Sequence, residues 1–227
     1  MSSAYGAIPP PPATTPLPLP HSFILRNGTF AILTSFNPTS DSHLLPVLRG
    51  LLNAEIEKGD TYPQEQVLQE AEFEAYFCSG TVFLARVAGE GGDVIGCFYV
   101  KPNFPGRCSH ICNAGFIVSP SYRNLGVGRA LAELFLVVAP KLGYKASMFN
   151  LVFESNTPSI RLWRSLGFRE IGRIPRAGRL RLPVGNSTTT SEVESGTTTA
   201  GGVGEVQETY VDALMFYYDF ADLERAA

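Results

Sequence analysis

The segment 116–131 constrains the fold more strongly than any other stretch of the chain, and it reads FIVSPSYRNLGVGRAL. An apolar run leads into Ser119-Pro120, a turn signal, and then into a Gly-rich turn, after which an apolar helical pattern begins at Arg129. A strand, a tight Gly-rich turn and a helix in this order form an anion-binding site, because glycines allow close backbone approach and the first helical turn carries unpaired N–H groups. The turn lacks the Lys-Ser/Thr pair of a P-loop, and Leu131 stands where a dinucleotide fingerprint has its third glycine. The segment therefore predicts a phosphate cradle of another kind.

The composition argues against several classes of partner. Lys and Arg number 18 against 21 Asp and Glu, and the net charge of −3 gives no electrostatic footprint for nucleic acid or an anionic membrane. No apolar run approaches the roughly 18 residues of a membrane span. The N-terminus shows neither a secretory signal nor an Arg-rich transit pattern. We therefore expect no nucleic-acid or membrane partner and a cytoplasmic location, with a mitochondrial pool left open.

The cysteine pattern predicts reduced thiols and no metal site. Four cysteines in 227 residues are too few and too unpatterned for a disulfide scaffold. Cys108, His110 and Cys112 alternate in sequence, as ligands on one face of a strand would. No second Cys/His cluster supplies the remaining ligands, so a metal is not expected. His110 is better explained as a structural residue or one at the rim of a pocket.

Two segments are predicted to lie outside the folded core. Residues 1–20 hold seven of the 17 prolines and predict a Pro-rich disordered tail. Residues 185–204 contain five Gly and nine Ser or Thr, which predicts a flexible insertion. The remaining residues, within 21–222, are expected to form a single domain that can bury a sizeable core.

The periodicity of apolar residues predicts an α/β sandwich of mixed topology. The Asn27-Gly28 dipeptide indicates a hairpin between two strands, and Thr157 is expected to cap a helix that has Pro158 at its first position. The expected strands are the pair within 21–36 and the segments 81–88, 94–101, 111–118, 146–153, 168–174 and 209–218. The expected helices are 44–58, 64–77, 126–142 and the one that opens at 157 and closes at Gly167.

Two motifs together resemble a known family. Residues 156–168 read NTPSIRLWRSLGF, which is similar to the Asn-x-x-Ala-x-x-Leu-Tyr-x-x-x-Gly-Phe motif of the GNAT acetyltransferases, with Ser159 for Ala and Trp163 for Tyr. The Arg-x-x-Gly-x-Gly pattern at 123–128 resembles the pyrophosphate loop of the same family. The resemblance implies a GNAT fold, in which a mixed, mostly antiparallel central sheet is flanked by about four helices.

Longer runs resemble a narrower group, the fungal azetidine-2-carboxylate acetyltransferases, which N-acetylate toxic proline analogues. The runs are 55–64, 98–103, 107–118, 139–156 and 175–180. The likeness implies an enzyme that transfers acetyl from acetyl-CoA to a small imino or amino acid, such as azetidine-2-carboxylate or a hydroxyproline, and that forms a homodimer. Two alternatives stay open: an acetyltransferase for a protein N-terminus, lysine or polyamine, and a non-catalytic CoA-binding module.

The resemblance also implies the residues that would bind acetyl-CoA. The pyrophosphate would lie on the turn amides, with a positive charge from Arg123, and the pantetheine arm beside the strand that ends at Val118. The implied cofactor-binding residues are Phe116, Val118, Arg123, Asn124, Gly126, Val127, Gly128, Arg129, Asn156 and Trp163. Trp163 replaces a tyrosine that often protonates the departing thiolate, and an indole cannot do so.

Asparagines are expected to carry the chemistry. Asn113 and Asn156 are the expected catalytic residues, and Asn113, Asn150 and Tyr62 are expected to bind substrate, because amide N–H donors suit a carboxylate or a developing oxyanion. A purely structural role, with the amide groups satisfied by backbone, is the alternative for each asparagine. The strand 111–118 offers no carboxylate as a base, so we expect direct attack on an aligned thioester, with the proton leaving through water.

Overall fold

The computed structural model describes residues 8–181 and 207–226, and within them eight strands form one sheet. The strands are β1 (His21–Ile24), β2 (Phe30–Phe36), β3 (Thr81–Val87), β4 (Val94–Pro102), β5 (Ile111–Val118), β6 (Ala146–Phe153), β7 (Arg169–Arg181) and β8 (Glu208–Asp219). The same residues contain five α-helices: α1 (Leu45–Lys58), α2 (Glu70–Phe77), α3 (Val127–Lys141), α4 (Thr157–Ser165) and α5 (Ala221–Ala226).

The sheet is mixed and mostly antiparallel. Its strand order is β1-β2-β3-β4-β5-β6-β8-β7. Neighbouring strands pair antiparallel except β5 and β6, which are parallel because α3 provides the crossover between them. The predicted fold class, an α/β fold with a mixed, mostly antiparallel sheet and helices on its faces, is confirmed.

Helices cover both faces of the central strands, and β4 shows how the sequence specifies this. Phe98 and Val100 pack in the cluster that holds α3 and α4, whereas Cys97 and Tyr99 pack in the cluster that holds α1 and α2. Successive side chains of a strand point to opposite faces, so a strand that is apolar throughout must be covered on both. This two-sided packing fixes β4 and its neighbour β5 in the middle of the molecule.

The second helix is shorter than predicted. The apolar spacing predicted a helix over 64–77, but α2 begins at Glu70. Asn53 of α1 binds both backbone groups of Leu68, with its Nδ2 donating to the carbonyl and its Oδ1 accepting from the amide. Gln69 and Glu72 then form a capping box. Residues 64–69 therefore form a connection anchored to α1, a tertiary contact that periodicity does not reveal.

The N-terminal segment lies against the domain, which differs from the predicted disordered tail. Residues 1–7 are outside the described part, and residues 8–20 form an extended segment. Thr14 donates from its amide to the carbonyl of Lys141 at 3.0 Å and from its hydroxyl to Pro140. The last carbonyls of a helix have no partner within it, so Thr14 satisfies the end of α3. Leu17 and Leu19 also pack against the core.

The last two strands run further than predicted. The expected strand 168–174 stopped before Pro175, but β7 continues to Arg181. It can do so because it is the edge strand of the sheet, where a proline without an N–H costs no ladder hydrogen bond. The predicted insertion at 185–204 lies outside the described residues. Of the helices described, none is long and apolar enough to cross a membrane.

Candidate active site

The central sheet opens between β5 and β6. The two strands pair only at Ile111 with Ala146 and at Cys112 with Ser147, although both continue for several residues. On its other edge β5 stays paired with β4 as far as Val118. Beyond Cys112 the edge of β5 that faces β6 therefore has no strand partner within the described residues. The segment 113–116 is half-buried despite its central position, so its backbone groups are accessible to a ligand.

The Gly-rich turn at the end of this opening presents free backbone amides. Asn124 and Gly126 have positive φ values of 63° and 90°, and α3 begins at Val127. The first helical hydrogen bond runs from Ala130 to the carbonyl of Gly126. In the described part of the chain the amides of Val127, Gly128 and Arg129 donate to no backbone carbonyl. Together with the positive end of the helix dipole, these amides form a site for an anion.

Two arginines of this turn already have carboxylate partners. Arg123 forms an ion pair with Glu55 of α1. Arg129 pairs with Glu133 at 2.9 Å, and its guanidinium also donates to Ser165 at 3.2 Å. The positive charge that the sequence assigned to Arg123 is thus shared with α1, because the fold brings a glutamate from a distant part of the chain beside it.

A third arginine, which sequence reasoning missed, lies at the same turn. Arg26 belongs to the β1–β2 hairpin, and its amide donates to the carbonyl of Leu125 at 3.0 Å. Its side chain passes 3.6 Å from the point that a Cβ on Gly126 would occupy. Within the described residues Arg26 forms no ion pair. The Asn27-Gly28 turn could be predicted from the sequence, but the place where this hairpin docks could not.

Asn156 and Trp163 of the second motif are both held by hydrogen bonds to Ser159. Asn156, not Thr157 as predicted, is the N-cap of α4, and its Oδ1 accepts the amide of Ser159 at 3.2 Å. The side-chain oxygen of Asn156 is therefore already hydrogen-bonded, while its Nδ2 can still donate. Trp163 is buried, and its Nε1 donates to the Ser159 hydroxyl at 2.9 Å. Its ring lies between Phe116 and Phe149, with centroids 5.1 Å and 4.5 Å away, so it supports the floor of the opening.

Three asparagines meet where β5 and β6 diverge. Asn103 and Asn150 exchange amide hydrogen bonds of 2.9 Å and 2.6 Å, and the Asn113 Nδ2 donates to the Asn103 Oδ1 at 3.3 Å. The Asn113 Oδ1 accepts the amide of Ala114 at 2.8 Å. The structure thus joins the predicted pair, Asn113 and Asn150, through Asn103, a residue that the sequence analysis did not single out. The only sequence signal for Asn103 is its place in one of the runs that carry the narrower resemblance.

The hydrogen bonds of this cluster leave it with an excess of donors. The Oδ1 of Asn103 accepts two bonds, and the oxygens of the other two amides accept one each. Each of the three NH₂ groups has two N–H donors and uses one. A group that accepts hydrogen bonds, such as a carboxylate or an oxyanion, therefore suits this cluster better than a donor does.

Tyrosines form the wall of the site on the α1–α2 side. Tyr99 lies opposite Gly115, and a Cβ at Gly115 would stand only 2.6 Å from the Tyr99 ring, so only glycine fits there. The hydroxyls of Tyr99 and Tyr76 are 3.3 Å apart. Burial, with smaller contributions from Tyr76 and Tyr62, raises the pKa of Tyr99 well above its usual value. Its hydroxyl is therefore protonated at neutral pH.

Tyr62 packs in the same apolar cluster as Tyr99. It also lines a cavity of about 230 Å³ between the α1–α2 connection and the end of β7 with the start of β8, at Arg181 and Glu208. Burial raises the pKa of Tyr62 well above its usual value, with further contributions from Tyr76, Cys97 and Glu55. Tyr62, predicted to bind substrate, thus lies on the α1–α2 side of the sheet, and within the described residues no hydrogen bond joins it to the three asparagines.

The cysteines and histidine of 108–112 do not assemble a ligand set. Cys108 is exposed, Cys112 is buried, and the Nδ1 of His110 lies 3.1 Å from the carbonyl oxygen of Arg107. Burial raises the pKa of the Cys112 thiol, which keeps it protonated. Across the residues that the structure describes, no three His, Cys, Asp or Glu side chains are grouped as metal ligands, and the cysteines there are free thiols.

Comparisons with known proteins agree with this architecture. The model of the acetyltransferase (GNAT) family matches residues 51–168 of this chain, a segment that includes the turn, the opening between the strands and the α4 motif. The chain belongs to the GNAT acetyltransferase family. It is 39% identical over 211 residues to the N-acetyltransferase aca1 of Schizosaccharomyces pombe, and the match covers 86% of this chain and 90% of the relative. The predicted enzyme class, an N-acetyltransferase of the GNAT family, is confirmed.

A second curated relative and three solved structures complete the comparison. The protein SPT10 of Saccharomyces cerevisiae is 28% identical over 221 residues, covering 74% of this chain but 34% of SPT10. A GCN5-related N-acetyltransferase from Kribbella flavida is 26% identical with a TM-score of 0.65, covering 83% of this chain and 97% of its own.

The two other structures are an acetyltransferase described as putative, yncA from Salmonella typhimurium with its cofactor acetyl-CoA, and a Sinorhizobium meliloti phosphinothricin acetyltransferase in complex with acetyl-CoA. Their identities are 14% and 18%, with TM-scores of 0.60 and 0.62. The matches cover 84% and 83% of this chain, and 94% and 88% of theirs. At these identities the likeness shows the fold alone.

Proposed function

We propose that this protein transfers acetyl from acetyl-CoA to the amine of a small imino or amino acid, such as azetidine-2-carboxylate or a hydroxyproline. The transfer is a direct attack in a ternary complex. The observation that carries the proposal is the opening between β5 and β6, which has free turn amides at one end and a donor-rich asparagine cluster at the other. Family membership supports the reaction class, and the narrower sequence resemblance supports the acceptor.

The opening fits an extended cofactor that carries phosphate at one end. The amides of Val127, Gly128 and Arg129 would bind the pyrophosphate, and the free edge of β5 from Asn113 to Val118 would pair with the amide groups of the pantetheine arm. Bound there, acetyl-CoA would supply a thioester as the activated acyl donor. Two of the related structures contain acetyl-CoA, which supports the same ligand for this chain.

Arg26 brings to the turn a positive charge that has no carboxylate partner within the described residues. Because Arg123 and Arg129 are engaged by Glu55 and Glu133, Arg26 is better placed to balance cofactor phosphate. Its position is fixed by the hydrogen bond between its amide and Leu125. We therefore add Arg26 to the cofactor-binding residues that the sequence analysis expected.

The asparagines would orient the acceptor and stabilise negative charge. The unused N–H donors of Asn113 and Asn150 suit the carboxylate of the acceptor, and the free Nδ2 of Asn156 suits the thioester oxygen as it gains charge. Donors of this kind, held by existing hydrogen bonds, need no reorganisation during reaction. One donor of an oxyanion site typically contributes about 10²–10³ in rate.

The proton-transfer steps depend on which acidic and basic side chains the site contains. β5 carries no carboxylate, so the acceptor amine, with a pKa near 10 in the free state, would lose its proton to water before attack. Alignment of amine and thioester would provide most of the acceleration. Trp163 cannot protonate the leaving thiolate, because an indole offers only an N–H that does not ionise usefully, and here it donates to Ser159. Tyr99, on the α1–α2 side of the sheet, stays protonated and could do so.

An assay of CoA thiol release with four acceptors tests this function. We expect turnover with azetidine-2-carboxylate and cis-4-hydroxyproline, and little with spermidine or a histone-tail peptide. Turnover with the last two alone would favour a polyamine or protein acetyltransferase. No release with any acceptor at millimolar concentration would favour a non-catalytic CoA-binding module.

Variants assign the roles within the site. At acceptor concentrations below the KM, both variants should lower turnover: Asn113→Ala by weakening the binding of the acceptor carboxylate, and Asn156→Ala by lowering kcat about 10²-fold or more. The matched control is Asn37→Ala, which changes an exposed residue in the β2–α1 loop and should leave turnover unchanged. Full turnover in either test variant would remove that residue from the mechanism.

Two further expectations belong to this proposal: assembly as a homodimer, which the resemblance implies, and a cytoplasmic location with a mitochondrial pool left open, which the lack of a targeting pattern suggested. Sedimentation at micromolar concentration and fractionation of the source cells would test them.

A further inference from the structure

An ammonium group without a carboxylate partner lies beside the asparagine cluster. Lys101 of β4 donates from its Nζ to the backbone carbonyl of Tyr76 at 3.0 Å. The same nitrogen lies 4.4 Å from the ring centroid of Tyr76 and 4.5 Å from that of Tyr99. Within residues 8–181 and 207–226, Lys101 takes part in no ion pair. The protein holds this cation by aromatic faces and one carbonyl, and provides no negative charge for it.

The strand register places this cation at the point where β5 leaves β6. Lys101 pairs directly with Asn113, which is the first β5 residue after the two that pair with β6. Residues directly opposite in an antiparallel pair have side chains on the same face of the sheet. Asn103 directly follows β4, and its amide group accepts from Asn113 and donates to Asn150. The ammonium and the donor-rich amides therefore face the same part of the opening.

A half-buried cation next to unused N–H donors selects for one kind of acceptor. Removing a charge from water without pairing it is unfavourable, and the penalty falls when a ligand brings the opposite charge. A carboxylate accepts from an ammonium and from amide N–H groups at once. An acceptor with additional positive charge would instead be repelled.

We propose that the Lys101 ammonium, together with the Asn113 amide, binds the carboxylate of the acetyl acceptor. This contact restricts acceptors to amino and imino acids with a free carboxylate and excludes polyamines and lysine side chains. The inference rests on the proposed function, since it names the group that decides between the acceptor classes considered there. Lys101 acts as a specificity-determining residue and takes no part in bond making.

The test compares two acceptors of similar shape, the anionic azetidine-2-carboxylate and the uncharged analogue azetidine-2-carboxamide, in the native protein and three variants. In Lys101→Met we expect the KM for the carboxylate to rise at least tenfold with kcat close to that of the native protein, while the KM for the carboxamide stays unchanged. Lys101→Arg, which keeps the charge, should restore part of the preference. The control Lys145→Met changes an exposed lysine and should behave as the native protein.

Each other outcome overturns the proposal. An equal rise in KM for both acceptors would show a packing role. A fall in kcat with both acceptors, with loss of the acidic limb of the rate–pH profile, would make Lys101 a proton acceptor. Unchanged KM and kcat with both acceptors would show that the Lys101 ammonium does not contact the acceptor.

Calorimetry measures acceptor binding without catalysis, so it tests the Lys101 contact independently of the proposed reaction. Binding of the two acceptors is measured to the complex with CoA, in which no acetyl can be transferred. Preferential binding of the carboxylate that is lost in Lys101→Met upholds the inference even if turnover fails. Absence of carboxylate binding to the native protein overturns it.

Discussion

Replacing Lys101 by methionine should make the protein more stable at neutral pH, and the gain should disappear in alkaline solution. Burial lowers the pKa of Lys101 from its ordinary value of 10.5 to about 8. The ionisable groups that face it are Tyr76 and Tyr99, and neither is a carboxylate. Methionine has a similar length, is apolar, and leaves the Tyr76 carbonyl bonded to the hydroxyl of Ser79.

The magnitude follows from the linkage between protonation and folding. Each unit of difference in pKa corresponds to about 1.4 kcal/mol, so a change from 10.5 to about 8 corresponds to about 3 kcal/mol. Below pH 8 the lysine is charged in both folded and unfolded chains, and the full cost of burying that charge is present. Between pH 8 and pH 10.5 the unfolded chain binds more protons, so the stability of the native protein rises with pH. Above that range the lysine is neutral in both states.

The measurement is urea unfolding of the native protein, Lys101→Met and the exposed control Lys145→Met between pH 7 and pH 10.5. We expect Lys101→Met to gain up to about 3 kcal/mol in the free energy of unfolding at pH 7, which corresponds to about 6–12 °C in melting temperature for a domain of this size. The gain should shrink through the window from pH 8 to 10.5. A variant that is less stable than the native protein at pH 7, or a gain that does not depend on pH, would refute the reasoning.

Three other predictions concern the cofactor end of the site and its aromatic floor. Gly126→Ala and its control Gly91→Ala each place a side chain at positive φ with no backbone atom in its way, and each should cost about 1–2 kcal/mol of stability. Only Gly126→Ala should also weaken CoA binding in calorimetry, by about tenfold. Equal CoA affinities of the two variants would show that the turn has only a packing role. Arg26→Gln should weaken CoA binding about threefold to tenfold, with a smaller salt dependence, and more than Arg123→Gln does; the reverse order would restore Arg123 as the main phosphate cation. Trp163→Phe should lower the free energy of unfolding by about 1–3 kcal/mol while kcat changes less than about twofold, and a large loss of kcat at unchanged stability would contradict its structural role.

The sequence predicts those parts of the fold that depend on local signals. The hairpin at Asn27-Gly28, the turn before α3 and the strand–helix alternation from β5 to β7 could all be placed from periodicity and turn chemistry. The late start of α2 was missed because a contact between segments 15 residues apart decides it, namely the binding of the Leu68 backbone by Asn53, which has no signature in a window of a few residues. The cap of α4 is a local error instead. Asn156 is itself a favoured N-cap residue, and its side chain accepts the amide of Ser159 three positions later.

The candidate site shows the same division. Motif positions predicted the phosphate turn and the asparagines Asn113 and Asn150, because the resemblance supplies residues one by one, and the structure gathers the two asparagines into one cluster. Asn103 and Arg26 were missed, since their roles come from the register of β4 with β5 and from the docking of a hairpin on the turn. Lys101 was missed for another reason, because a lysine in a strand is ordinarily a solvated residue. Only the structure shows that it is half-buried and without a carboxylate partner among the described residues.

The distribution of charge partners explains why these two basic residues matter. In a chain with a net charge of −3, carboxylates are available, and the fold supplies them to Arg123 and Arg129. Arg26 and Lys101 have none within the described residues, and they flank opposite ends of the opening between β5 and β6. The proposed function requires an anionic cofactor at one end of this opening and, at the other end, the carboxylate of an amino or imino acid. Each of these two cations would therefore pair with a negative charge of a bound substrate, Arg26 with the cofactor phosphate and Lys101 with the acceptor carboxylate.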